Sequence, residues 1–313
     1  MAVIGVDLGG TKIASGIFEH GGELVTRRTA KLTGGGDAVG NLIISEVGSL
    51  LSEMTIQPDA VGVSVPGIFY SDRGTVWAPN IPGWTDYPLV ERLEIGLGGN
   101  VSVRVDSDRA CYVLGEEWQG RARGCRNVIF VAVGTGIGAG ILIDGRVVRG
   151  AGDAAGAIGW MGLDRPYRDV YDDCGCFEYH ASGAGIAKVA RELLTSANAY
   201  DGVLSEKPAD DLTAVDVLIA EADGDRIAVQ VMDDCIEFWA MAVANLVSLF
   251  NPEMIILGGG VFESAARFIP RIRAEATKWA QPISIGQVKI ETSALGADAG
   301  LYGAARLALS ETS

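Results

Sequence analysis

Apolar and polar positions divide the first third of the chain into short extended runs broken by glycine. Residues 3–8 (VIGVDL) and 12–18 (KIASGIF) are short, apolar and rich in β-branched residues, and both read as strands. Gly21-Gly22, between Phe18 and Leu24-Val25, reads as a hairpin turn into a third strand, so an antiparallel start is expected. Apolar residues then recur at helical spacing over 37–54, and AVGVSVP at 60–66 returns to a strand. The run VSVRVDSD (101–108) reads as a strand ending in Asp106-Ser107-Asp108, followed by a helical segment at 110–116. Ser or Asp at that junction is a natural helix cap.

The pattern restarts at 127–148, where strand, glycine turn, strand and an Asp144-Gly145 hairpin signal echo residues 3–25. This weak repeat predicts two related α/β halves, each opening with a hairpin whose tip points into a shared cleft. Residues 236–250 (IEFWAMAVANLVSLF) are apolar nearly all round and read as a buried helix that Asn251-Pro252 ends before a strand at 254–260. A further strand is expected at 287–292, and the small-residue run 297–309 reads as a helix that packs tightly or returns to the first half.

Length changes this picture only by requiring two domains, since a single core rarely grows past roughly 250–300 residues and the chain has 313. The expected division is 1–117, with a C-terminal helix at 297–313 packing back on it, and 118–296. Charge excludes more: 40 acidic against 25 basic residues give −15, which repels nucleic-acid phosphates in the absence of a segregated basic patch. The arginines of 120–127 form a short cluster that reads as a solvated loop. Five cysteines, an odd number with no secretory signal, fit reduced thiols in the cytoplasm. No apolar run approaches the roughly 18 residues of a membrane span, so no membrane partner is expected.

Three glycine turns follow predicted strands: Asp7-LGGTK, Gly134-TGIG and Gly258-GGV. Glycine lets backbone amides approach a ligand closely, and such concavities bind anions, phosphate above all. None has the Walker spacing or the GxGxxG-to-acid spacing, and one such turn alone is as readily a plain hairpin. Asp7, at a strand end before the first turn, is placed to meet a phosphate-bound Mg²⁺ directly or through water, or simply to shape the turn.

Taken together, DLGGTK (7–12), VSVPG (63–67), PNIPGW (79–84), DSDRACYVLGE (106–116), the block 131–161, CGCFEYHASG (174–183), NPEMIILGGGV (251–261) and LGADAGLYGAA (295–305) resemble the ROK family of bacterial sugar kinases and regulators. The resemblance implies the two-domain actin-like ATPase (ribonuclease H-like) fold, each domain a mixed sheet flanked by helices with a cleft between. It implies an ATP- and Mg²⁺-dependent kinase that phosphorylates a sugar hydroxyl, usually the primary one, and a homodimer. By resemblance, Asp108 is the catalytic base. Asp7, Gly9, Gly10, Thr11, Lys12, Gly134, Thr135 and Gly136 lie at the phosphates, Gly258 and Gly259 near the adenosine, and Gly67, Asn80, Ser107, Asp108 and Glu178 at the acceptor.

The sequence also departs from the family pattern. Ala157 stands where a sugar-binding Glu is expected, Trp160 where a zinc-ligating His is expected, and Ser107 where an Asn usually precedes the catalytic Asp. The cysteine-rich loop is shortened to Asp172-DCGCFE, leaving Cys174, Cys176 and His180 as weak zinc donors with Asp172 or Asp173 as makeshift partners. A closed site wants four Cys or His ligands, so loss of zinc is expected. Trp160 is expected first as a packing residue and second as a platform for a sugar ring. The rival readings are an acceptor other than glucose, such as an amino sugar, fructose or a cyclitol; a sugar-sensing regulator; and a scaffold with a decayed site. Against the regulator stands the first strand at Val3, which leaves no room for a preceding DNA-binding helix pair.

Overall fold

A computed structural model describes residues 2–54, 58, 60–99, 101–197 and 200–310. It divides into two compact units, Met1–Arg126 with Gly140–Ala155 and Ala297–Ser313, and Asn127–Ala139 with Gly156–Gly296.

Strands β1 (Ala2–Leu8), β2 (Lys12–Glu19) and β3 (Leu24–Lys31) form the expected antiparallel meander. Helix α1 (Asp37–Glu53) leads to β4 (Ala60–Val65), which pairs parallel to β1. A small hairpin, β5 (Ile68–Tyr70) and β6 (Thr75–Trp77), precedes α2 (Leu89–Gly96) and β7 (Ser102–Ser107). The sheet order is β3-β2-β1-β4-β7. Helix α3 (Asp108–Trp118) starts as β7 ends, earlier than the apolar pattern predicts. Burial of Val61, Val63 and Val65 on β4 beside Ile4 and Val6 on β1, under Val39, Ile43 and Val47 of α1, supplies the apolar driving force for this layer.

The second sheet repeats the arrangement. Its order is β10-β9-β8-β11-β12, from β8 (Val128–Val133), β9 (Ile137–Ile143), β10 (Arg146–Val147), β11 (Met254–Gly258) and β12 (Lys289–Thr292). The internal echo of the sequence is therefore a repeat of topology: three consecutive strands side by side, then two parallel additions. Between β10 and β11 come α4 (Cys176–Ala181), α5 (Gly183–Ser196), α6 (Ala214–Ala222) and α7 (Arg226–Phe250). Helices α8 (Phe262–Ala265), α9 (Ile269–Trp279) and α10 (Pro282–Gln287) follow β11. The strand expected at 287–292 loses its first two positions, since Gln287 ends α10.

Helix α7 begins ten residues before the apolar run at 236–250. The carboxylate of Asp225 accepts from the amides of Ile227 and Ala228 at 3.0 and 3.1 Å, an N-cap that starts the helix ahead of its hydrophobic part. Nor is the helix buried all round: Leu249 is 72 % exposed.

Helix α11 (Ala299–Leu309) lies on the first sheet because glycine leaves room for it. A Cβ at Gly5 of β1 would stand 2.8 Å from the carbonyl of Leu301, and one at Gly62 of β4 would overlap that of Ala304. Among the described residues no helix is long and apolar enough to cross a membrane.

Candidate active site

Parallel register sets Asp7 of β1 beside Ser64 of β4, whose hydroxyl donates to Asp7 Oδ1 at 2.7 Å. Burial raises the Asp7 pKa to about 6; the Ser64 hydrogen bond opposes this, and the negative charge of Asp108 adds to it. Beyond Asp7 the turn closes through the Gly9 amide on the Lys12 carbonyl at 3.0 Å, while Gly10, Thr11 and Lys12 stand exposed. A Cβ at Gly10 would meet nothing within 4 Å, so the turn's outer side is open.

At the β7–α3 junction the two cap candidates separate. Ser107 Oγ accepts the Ala110 amide at 3.3 Å and so caps α3. Asp108, the first residue of the helix, accepts its neighbour's amide, Arg109 N, on Oδ1 at 2.7 Å and the Tyr112 hydroxyl on Oδ2 at 3.4 Å. Burial lifts its pKa above the usual carboxylate range against the pull of Arg109. Next to it, Asp106 is buried and bound by Arg149, whose Nε lies 3.1 Å from Oδ2. Gly67, at φ +93°, offers its carbonyl to the Arg109 guanidinium at 3.4 Å. Asn80 is exposed on the turn after β6.

In the second unit the glycine turn at 134–136 meets Glu178. The carboxylate of Glu178 accepts the Ile137 amide at 2.6 Å, and a Cβ at Gly136 would stand 2.6 Å from Glu178 Oε2. Burial raises the Glu178 pKa; the Ile137 amide opposes it. The same turn receives the amides of Gly183 on Gly134 O at 2.8 Å and of Ala184 on Thr135 O at 3.3 Å, which ties it to the start of α5. The third glycine turn is a strand-to-helix turn, leading from β11 into α8. Gly259 there has φ +88°, and a Cβ would stand 2.5 Å from the Val133 carbonyl, so this turn lies against the end of β8. Gly258 is buried against the Phe130 ring.

Trp160 overturns the packing expectation. Its residue is 58 % exposed, at the end of a short 3₁₀ turn, Ile158–Trp160. Backbone instead holds this turn in place, since a Cβ at Gly175 would stand 2.6 Å from Trp160 Cα. Ala157, just before it, is exposed as well.

Comparison with known proteins bears on the whole of this arrangement. The model of the ROK family matches residues 3–311. The chain belongs to the ROK family. A glucokinase of Halalkalibacterium halodurans is 32 % identical, the alignment covering 96 % of this chain and 92 % of that one. A xylose repressor of Caldicellulosiruptor bescii is 28 % identical over 99 % of this chain and 78 % of its own. Among solved structures, a ROK family glucokinase from Streptomyces griseus in complex with glucose and AMPPNP superposes with a TM-score of 0.78, at 29 % identity, over 98 % of this chain and 99 % of that one. The fold is thus the two-domain actin-like ATPase fold of ROK kinases.

The residues fit Mg²⁺ in one place and not zinc in another. A hard cation takes oxygen ligands, and Asp7 presents a carboxylate with Oδ1 fixed by Ser64, in a field of further acidic charge from Asp108 and Asp298 that a cation relieves. The zinc donors of the ROK loop do not assemble: His180 Nε2 is 2.8 Å from the Tyr171 hydroxyl, and Cys174 Sγ turns to the Gly175 carbonyl at 3.8 Å. Asp172, a makeshift candidate, is exposed and takes the Tyr167 hydroxyl. No group of three or more His, Cys, Asp or Glu side chains suited to a metal occurs among the described residues.

Four participants escape the sequence reading: Ser64, Arg109, Tyr112 and Arg149. Ser64 becomes visible only through the β1–β4 register, which pairs positions 57 residues apart. Tyr112 carries a local signal, since a residue four after Asp108 lies above it on one helix face.

Proposed function

We propose that this chain is an ATP-dependent sugar kinase, a phosphotransferase that moves the γ-phosphoryl of ATP to a primary hydroxyl of a hexose or hexose-like acceptor. The observation that carries this is the division of labour at the start of α3: Ser107 caps the helix, so the buried Asp108 carboxylate, bonded to the Arg109 amide and the Tyr112 hydroxyl, is not the cap. Asp108 takes the hydroxyl proton as the acceptor oxygen bonds to phosphorus and the bond to ADP breaks. Oδ1 accepts the Arg109 amide and Oδ2 the Tyr112 hydroxyl at a long 3.4 Å, and burial keeps the carboxylate basic.

Gly9, Gly10 and Thr11 in the first unit, the Gly9 amide closing the turn on Lys12 O, and Gly134, Thr135 and Gly136 in the second, the Gly134 amide closing its turn on Gly136 O, are assigned to the phosphates, and Gly258-Gly259 to the adenosine. Asp7 would hold Mg²⁺, directly or through water, and the bound cation would neutralise phosphate charge. Gly67, Asn80 and Ser107 in the first unit and Glu178 in the second are the residues assigned to acceptor recognition. The similar glucokinase solved with glucose and AMPPNP supports the pair of substrates proposed. The same reading takes the protein as a cytoplasmic homodimer.

ADP release coupled to a panel of hexoses, amino sugars, fructose and cyclitols tests the reading. The expected result is turnover with at least one acceptor, abolished by Asp108→Asn; silence of the wild type across the panel rejects it. The match to a xylose repressor over 99 % of this chain and 78 % of that one keeps a second reading, a sugar-responsive regulator. Sugar binding without turnover, accompanied by specific retardation of promoter DNA, is the result that favours it.

A further inference from the structure

Helix α4 has six residues and carries Glu178 near its start. A helix that short does not persist by its own hydrogen bonds and must be fixed by what surrounds it. In place of a metal, its surroundings are aromatic. The His180 imidazole lies flat on the Phe238 ring, centroids 4.3 Å apart and planes 8° from parallel. Tyr171 meets both Tyr179 and His180 edge-on, at 5.4 and 5.6 Å, and Tyr179 meets His180 at 5.0 Å. The Arg168 guanidinium lies 5.6 and 5.3 Å from the Tyr171 and Tyr179 rings, and the Lys188 ammonium 4.3 Å from the latter.

Polar atoms of the cluster are partnered, some within it and some by flanking carboxylates. The Tyr171 hydroxyl contacts His180 Nε2 at 2.8 Å and Asp164 Oδ2 at 3.2 Å, and the Tyr179 hydroxyl donates to Glu192. Two bonds from α7 pin the backbone of α4: Cys235 Sγ donates to the His180 carbonyl at 3.3 Å, and Trp239 Nε1 to that of Ala181 at 3.0 Å. Both sulfurs of the loop are outside this set: Cys176 is buried in apolar contact with Tyr171 and Tyr179, and Cys174 flanks them.

We infer that the loop and helix bearing Glu178 are ordered by a metal-free aromatic cluster, Tyr171, Tyr179, His180 and Phe238, and that His180 is a positioning residue whose ring, not its ligating nitrogen, does this. Every member lies in one compact unit, from the 3₁₀ turn Asp169–Tyr171, α4 and α7. A ring that stacks is replaceable by another ring; a metal ligand is not.

The test uses the full chain purified from zinc-supplemented culture. Metal analysis is expected to find far less than one zinc per chain, and dialysis against a zinc chelator to leave Tm unchanged; stoichiometric zinc, or a chelator-dependent fall in Tm, overturns the inference. These readouts do not depend on turnover, so they stand even if the kinase reading fails. On that reading, His180→Phe keeps acceptor KM near the wild-type value, whereas His180→Ala raises it about tenfold with KM for ATP unchanged. Equal loss in both variants overturns the inference. Should His180→Ala fail to fold, Phe238→Leu against Phe238→Tyr gives the same contrast from the other ring.

Discussion

Asp108 is held by its own helix, through the Arg109 amide at 2.7 Å and the Tyr112 hydroxyl at 3.4 Å, whereas Glu178 is held by the Ile137 amide, 41 positions away in sequence. The first arrangement needs only a strand that ends and a helix that begins. The second needs a glycine turn, a six-residue helix and an aromatic cluster to come together. Local hydrogen bonding makes a site robust to change elsewhere; remote packing makes it adjustable. That contrast matches the chemistry proposed for each, a phosphoryl-transfer step common to every acceptor and a contact that selects among them.

The contrast breaks first at Asp108. Asp108→Asn keeps the Oδ1 acceptor for the Arg109 amide and removes the basic oxygen, so kcat is expected to fall by about 10²–10⁴-fold with acceptor KM little changed and no loss of Tm, since burial raises the Asp108 pKa. A variant with near wild-type kcat would remove Asp108 from the chemistry.

Asp7 offers the next largest effect on turnover, together with a gain in stability. Its pKa, raised to about 6 from 3.8, means the folded state holds the proton more tightly than the unfolded one. The ionised group therefore weakens the fold progressively as pH rises through that interval, and fully above it. Asp7→Asn keeps an acceptor for Ser64 and removes the charge facing Asp108. Turnover is expected to fall on the order of 10²-fold, while Tm at alkaline pH rises by about 2–4 °C for each kcal/mol relieved. A lower Tm for the variant at that pH would show that the charge is not a cost to the fold.

Gly136→Ala sharpens the second side. The added Cβ stands 2.6 Å from Glu178 Oε2, so the carboxylate must shift and its bond to Ile137 N lengthens. Acceptor KM is expected to rise about tenfold, with KM for ATP less affected. Gly10→Ala, where a Cβ meets nothing, is expected to leave Tm unchanged. If Gly136→Ala leaves acceptor KM where it was, Glu178 does not orient the acceptor.

How much of this was legible follows the same division. The hairpin at 3–25, its repeat at 127–148 and the acids at 106–108 are written in local pattern, and the structure places strands and helix accordingly. What local pattern lacks is register and partnership. Ser64 could not be joined to Asp7 without the parallel β1–β4 pairing. Helix α7 was cut short because its first turns alternate buried Ile227, Val231 and Met232 with exposed polar residues, so only its second half stands out as apolar. Residue type alone points Trp160 to packing, but the close approach of Gly175 to its Cα fixes the backbone there without burying the indole.

The smallest expected effect tests the aromatic cluster through protons. Burial lowers the His180 pKa below its usual 6.5; Asp164 and Glu192 pull it up, and Arg168 pushes it down with burial. A depressed imidazole is neutral in the fold and takes a proton more readily once unfolded, so its contribution to stability is present above pH 6.5 and is lost as pH falls below it. Asp7, Asp108 and Glu178, whose pKa values are raised, change stability in the opposite direction over neighbouring pH, so the wild-type curve alone is ambiguous. The difference between wild type and His180→Phe cancels those shared contributions. Between about pH 7.5 and pH 5.5 the Tm of wild type is expected to fall relative to that of the variant. If the two curves stay parallel, the imidazole is as well solvated in the fold as out of it, and the stack on Phe238 is not what holds α4.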